Sequence, residues 1–336
     1  MNTSTNTVEQ FLDCTPDNIP AQVLSSDAPV LLKGLVADWP LVQAGQQSTQ
    51  AAADYIQQFD SGQPLTTYEG PPEIEGRIFY NKDFTGFNFA RTQQSLAQVI
   101  EKLFAAQSDA TPPTYYIGST MVDHWLPGFR AKNDIDLGDR ERLVSIWLGN
   151  RSRIAAHYDF PHNIACSVVG KRRVTLFPPE QLANLYVGPL ELTPSGQPIS
   201  LVDTCNPDLT RYPRYAEAQA ASYTVELEAG DALFIPSMWW HHVEALESFN
   251  VLVNYWWRTT PVYQGSPLNA LHHAIMSLRD LPLEQRRVWQ NLFNHYVFEE
   301  NAEAFEHIPE HVRGILDGVD ESSARALRAQ LVKFLK

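Results

Sequence analysis

Residues 143–177 read LVSIWLGNRSRIAAHYDFPHNIACSVVGKRRVTLF. Short runs rich in Val, Ile and Leu are broken at Gly149-Asn150 and again at Gly170-Lys171. Such pairs are turn chemistry, so the stretch predicts consecutive β-strands. Working outward, comparable runs recur at 115–117, 222–227, 232–235 and 250–257, with further breaks at Pro178-Pro179 and Gly230-Asp231. Many short strands at fairly even spacing predict a sandwich or barrel between about Thr114 and Arg258. The stretch 178–221 is long and polar for a connection inside such a domain, so it reads as an insertion or a lid.

The flanks have a different period. Leu96, Val99, Ile100 and Leu103 fall on one helical face of 95–106. Residues 28–32 read as a buried strand, 47–58 as a helix, and 62–90 as irregular structure with short strands. The first twenty residues read as a short amphipathic lead-in. Beyond Trp257, Ser266-Pro267 is a cap followed by a first-turn proline. Leu268, Leu271, Ile275 and Leu278 follow it on one face, and further helical patterns cover 283–298 and run from Asp320 to the end. The expected organisation is a mainly β domain over 1–262, including its N-terminal supporting elements, and a helical extension over 263–336. The apolar stripes of that extension suit either a buttress on the barrel or a homodimer interface.

Composition bounds the function. Lys plus Arg is 25 and Asp plus Glu 39, a net charge of 25 − 39 = −14 over 336 residues. That balance weighs against broad nucleic-acid or anionic-membrane binding. No apolar run reaches the ~18 residues that cross a bilayer. The N-terminal segment lacks the basic and apolar parts of a secretory leader. Cys14, Cys166 and Cys205 are few, odd in number and far apart, which points to a reducing, cytoplasmic setting.

The chemistry concentrates in a few positions. In a strand, His157 and Asp159 project from the same face. Far downstream, 230–243 reads as a strand, a proline turn and a second strand carrying His241-His242. Two imidazoles and one carboxylate on neighbouring strands can occupy one face of an octahedral metal, the arrangement of non-haem Fe(II) oxygenases. The alternative is a His–Asp hydrogen bond beside an unrelated buried histidine. In a strand, His241 and His242 point to opposite faces, so only one can join. His124, His272, His273, His295, His307 and His311 are read as surface or core residues.

The ordered set His157-Tyr158-Asp159, Asn163, Gly170, Arg173, Leu176-Phe177-Pro178-Pro179, Gly230-Asp231, Ile235-Pro236, Trp239-Trp240-His241-His242, Glu244 and Asn254 resembles the JmjC, or cupin-like, 2-oxoglutarate oxygenases. It is most similar to their asparaginyl hydroxylase branch, and the likeness extends to 28–40. The resemblance implies a double-stranded β-helix (jelly-roll) core, Fe(II), 2-oxoglutarate as co-substrate and a C-terminal helical dimer unit. It selects His241 rather than His242 as the third metal ligand, so His157, Asp159 and His241 are the expected catalytic and metal residues.

The co-substrate's distal carboxylate needs a cation. Arg172, Val174 and Leu176 share the more apolar face of 172–177, which aims Arg172 inward. A lone buried guanidinium is costly unless it meets an anion. Lys171 and Arg173 are the alternatives, and the related hydroxylases carry lysine at the matching place. Tyr116, with Tyr115 as alternative, matches the family's co-substrate tyrosine. Asn163 and Asn254 match positions near the metal and co-substrate. Trp256 is read as a wall of the same pocket or as core packing. Ile154 stands where those relatives have a threonine. The expected activity is hydroxylation of a C–H bond, foremost on a protein side chain. A modified RNA base is the alternative, encouraged by Arg151, Arg153, Arg172 and Arg173, and a small molecule is another. A non-catalytic cupin-like binding protein is the competing class.

Overall fold

The computed structural model describes residues 6–299 and 302–335. The chain divides into two compact units, Met1–Arg258 and Thr259–Lys336. In the first unit the strands are β1 (Glu9–Phe11), β2 (Val30–Leu32), β3 (Leu65–Gly70), β4 (Arg77–Ile78), β5 (Ala90–Gln94), β6 (Thr114–Met121) and β7 (Arg142–Gly149). They continue as β8 (Ser152–Tyr158), β9 (His162–Val169), β10 (Arg172–Phe177), β11 (Tyr223–Leu227), β12 (Ala232–Ile235), β13 (Trp240–Ala245) and β14 (Asn250–Trp257). One sheet runs β1-β2-β12-β9-β14-β7-β6-β3-β5 and the other β11-β10-β13-β8-β4. From β7 to β14 the chain switches repeatedly between the sheets, which makes the expected jelly-roll core.

Period-two alternation sorts the large sheet's side chains. On β14, Val251, Val253, Tyr255 and Trp257 face outward with Ile164 and Cys166 of β9 and Val144, Ile146 and Leu148 of β7. That face is covered by the helix Leu96–Ala105, and its Leu96, Val99, Ile100 and Leu103 join the same cluster. Burial of each such side chain stabilises the packing by roughly 1.5–3 kcal/mol. Ser95 and Gln98 close a reciprocal capping box that fixes where this helix begins. The opposite parity leaves Ser145, Asn163, Ser167 and Asn254 pointing between the sheets, all buried. On the β2–β12 and β10–β11 side of the lumen Leu31, Leu233 and Ile235 meet Val174, Leu176, Val225 and Leu227. The interior is therefore apolar on one side, next to the polar residues of β9, β14 and β7.

The stretch 178–221 packs its own apolar residues onto the outside of the small sheet. Leu185, Val202, Tyr215 and Ala218 cluster with Ala156, Phe177 and Trp240. It also carries the helix Tyr215–Ala221, which its sequence pattern does not announce. A further helix, Pro40–Gln47, precedes Thr49–Gln57 and was likewise not evident as a separate element. Gly170 takes φ +76° in the β9–β10 hairpin, and a Cβ there would meet Asn250 Oδ1 at 2.4 Å. In the second unit the helices are Pro267–Leu278, Leu283–Phe293, the short Glu310–Arg313 and Glu321–Phe334. The pattern over 283–298 predicts one helix; its last part, Asn294–Phe298, is instead a π-helical turn.

Candidate metal centre

His157 lies near the end of β8 and Asp159 just beyond it; His241 lies on β13, directly across from His157 in the ladder. One ligand atom from each of these three residues lies within 4.8 Å of the others. The His157 and His241 ring centroids are 4.3 Å apart, and His241 Nε2 is 3.7 Å from Asp159 Oδ2. His157 Nδ1 is 2.9 Å from the Ala155 carbonyl oxygen and His241 Nδ1 is 3.0 Å from that of Trp239. Each carbonyl can only accept, so Nδ1 carries the N–H, and in the neutral ring Nε2 is the nitrogen with a lone pair for a metal. Burial, aided by His157, holds the His241 imidazole well below its usual pKa, with Asp159 opposing. A neutral imidazole is the metal-binding form.

Asp159 is fixed from two sides. Its backbone oxygen accepts from the Met238 amide at 2.9 Å, and its Oδ2 accepts from Trp256 Nε1 at 3.0 Å. Trp256 thus orients a carboxylate rather than merely filling space. Outer partners of this kind aim ligands at a metal and raise affinity. Two neutral nitrogens and one carboxylate oxygen on one side, with His157 and Asp159 only half-buried, fit a divalent transition metal that keeps exchangeable positions.

Arg172 is buried on the lumen face of β10, four register positions from Leu176, which pairs with His241. Its Nη1 donates to Val251 O at 2.9 Å and to Ser167 Oγ and Val169 O at 3.3 and 3.5 Å. No carboxylate pairs with it among the described residues, and burial lowers its pKa to about 10. Lys171 instead binds Glu226 and Glu228 on the surface, and Arg173 binds Glu226. Tyr116 is electrostatically coupled to Arg172, whereas Tyr115 packs towards the helix-covered core. Burial pushes the Tyr116 hydroxyl pKa upward, so it stays protonated and can donate. Asn254 Nδ2 donates to Asn163 Oδ1 at 3.2 Å, and Asn254 Oδ1 accepts from Trp147 Nε1 at 2.7 Å. Trp147 was not anticipated; its inward parity on β7 is the signal that identifies it. Its ring stands 5.8 Å from Trp256 and 6.1 Å from Tyr116, and so links the tryptophan that holds Asp159 to the tyrosine coupled to Arg172. An uncompensated buried guanidinium, a protonated phenol and two buried amides fit a dicarboxylate.

A family model described as a cupin-like domain matches residues 16–263. The chain belongs to the cupin-like domain family. This cupin-like protein is 37% identical over 117 residues to the lysine-specific demethylase JMJ31 of Arabidopsis thaliana, covering 34% of the chain and 21% of that protein. It is 40% identical over 145 residues to the human tRNA wybutosine-synthesizing protein 5, covering 39% of the chain and 43% of the relative. Against rat HSPB1-associated protein 1 it is 34% identical over 265 residues, covering 74% and 52%. The cupin-like chain thus spans from about a fifth to about half the length of these relatives.

The four arginines read as one basic cluster are dispersed by this cupin-like fold. Arg172 is internal, Arg153 pairs with Asp203, Arg173 with Glu226, and Arg151 donates to Leu246 O. Among the described residues no helix is long and apolar enough to cross a membrane.

Proposed function

We propose that this chain is an Fe(II)- and 2-oxoglutarate-dependent dioxygenase that hydroxylates a C–H bond. The observation that carries the reading is the convergence of His157, Asp159 and His241, with both Nδ1 atoms engaged by backbone carbonyls. These residues would hold the iron. Arg172 and Tyr116 would bind the distal carboxylate of 2-oxoglutarate, with Asn163 and Asn254 supporting its pocket. Iron with 2-oxoglutarate supplies oxidative decarboxylation coupled to hydroxylation. The protein's own work is positional. Trp256 fixes Asp159, Trp147 fixes Asn254, and the Trp147–Trp256–Tyr116 wall limits water beside the reacting groups.

The substrate we favour is a protein side chain, in keeping with the net charge of −14 and the dispersed arginines. A second reading, hydroxylation of a modified RNA base, is supported by the similarity to tRNA wybutosine-synthesizing protein 5. We also propose that residues 259–336 join two copies of the chain, because Trp289, Phe298 and Phe334 are exposed on that unit at 44%, 70% and 73%. Conversion of 2-oxoglutarate to succinate, followed with Fe(II) and panels of peptides and tRNA, tests the activity. No succinate under any of these conditions, with the iron site loaded, refutes it.

A further inference from the structure

Strand β13 presents opposite faces at consecutive residues. His241 faces the lumen, while His242 and Glu244, two residues apart, share the outer face. There the stretch 178–221 brings Cys205 against them. His242 Nε2 is 3.5 Å from Cys205 Sγ. One ligand atom from each of Cys205, His242 and Glu244 lies within 4.8 Å of the others. His242 is 3% exposed, and the nitrogen that it turns towards Cys205 is Nε2, so a buried imidazole nitrogen faces the cluster. Two arginines border the cluster: Arg153 pairs with Asp203 at 3.3 Å and also reaches Cys205, and Arg173 pairs with Glu226 at 2.9 Å and with Glu244 at 3.7 Å. The Cys205 amide donates to Asp203 Oδ1 at 3.1 Å, which fixes the loop that presents the thiol.

We propose that Cys205, His242 and Glu244 form a second metal site, selective for Zn²⁺, on the outer face of the small sheet. Thiolate, imidazole and carboxylate are zinc's ligand types, and three of them leave a fourth tetrahedral position on the exposed Cys205 side for water. Binding displaces the thiol proton to solvent. The site ties the 178–221 connection to β13, behind the strand that carries His241. It is distinct in donor set from the His157–Asp159–His241 centre, which has no sulfur.

Cobalt(II) reports the site, because a Co²⁺–thiolate bond gives a near-ultraviolet charge-transfer band that imidazole and carboxylate ligands do not give. The full chain carrying His157→Ala and Asp159→Ala, in which the lumen centre is dismantled, is titrated with Co²⁺ and back-titrated with Zn²⁺. The expected result is a band saturating at about one metal per chain and erased by Zn²⁺. Adding Cys205→Ser abolishes it, and Glu244→Gln weakens affinity about tenfold or more. Both substitutions lie at sites that are not fully buried, so folding, checked by circular dichroism, is retained; His242→Gln is the more hazardous variant. Absence of the band before Cys205 is changed, or its survival afterwards, overturns the proposal. The readout involves neither iron nor 2-oxoglutarate, so its failure and that of the dioxygenase reading are separable.

Discussion

Replacing Arg172 with Met separates a functional charge from a structural one. Among the described residues the guanidinium is buried without a carboxylate partner, and its shortest bond is to Val251 O at 2.9 Å. Desolvating such an ion costs several kcal/mol, while one good charge-assisted bond returns about 1.5–3 kcal/mol. The ligand-free protein therefore carries a deficit that Met, of similar length and apolar, removes. We predict that Arg172→Met raises unfolding free energy by about 1 kcal/mol in urea titrations of the apo protein. The same change removes the partner of the 2-oxoglutarate carboxylate. Loss of about 3 kcal/mol of charge-assisted pairing raises KM for 2-oxoglutarate roughly a hundredfold. Opposite signs in stability and co-substrate affinity are the signature of a site residue kept at the expense of the fold. A variant that is destabilised by about 2 kcal/mol or more, with KM unchanged, would show that Arg172 is structural.

Three further outcomes follow from particular contacts. Trp256→Phe keeps the wall but removes the donor to Asp159 Oδ2, so iron affinity falls about 10–100-fold with the melting temperature little altered; unchanged affinity in an anaerobic titration removes the orienting role. Burial depresses the His241 pKa and takes that of His242 to about 4, so the unfolded chain binds more protons between about pH 6.5 and pH 4. Stability of the apo protein therefore declines as pH falls through that window, and a His242→Gln variant that still folds shows a shallower decline; equal slopes in thermal scans contradict it. Light scattering should give a dimer for the full chain and a monomer for residues 1–258, and a monomeric full chain ends the proposal of pairing.

Short apolar runs and turn residues made a β-sandwich or barrel legible, because a strand's pattern is local, and the family resemblance made it a jelly-roll. Strand alternation placed His157 with Asp159, separated His241 from His242, and turned Arg172 inward. It could not show that Trp147 would reach Asn254, 107 residues away, since pairing of β7 with β14 is a property of the assembled sheet. Nor could it show that His242 would be buried, because the cover comes from 178–221, whose short helix Tyr215–Ala221 lacks a side-chain cap. The four arginines looked like a patch only in one dimension, as strand parity and local carboxylates send them to different places.

If His157, Asp159 and His241 hold an iron with positions left for 2-oxoglutarate, the chelated keto acid gives a visible charge-transfer absorption. It is followed in an anaerobic titration of the Fe(II)-loaded chain with 2-oxoglutarate. The band is expected in the native chain and in His242→Gln, and is expected to be lost in Asp159→Ala and His241→Ala. No band in the iron-loaded native chain, or an equal band in the triad variants, contradicts that reading.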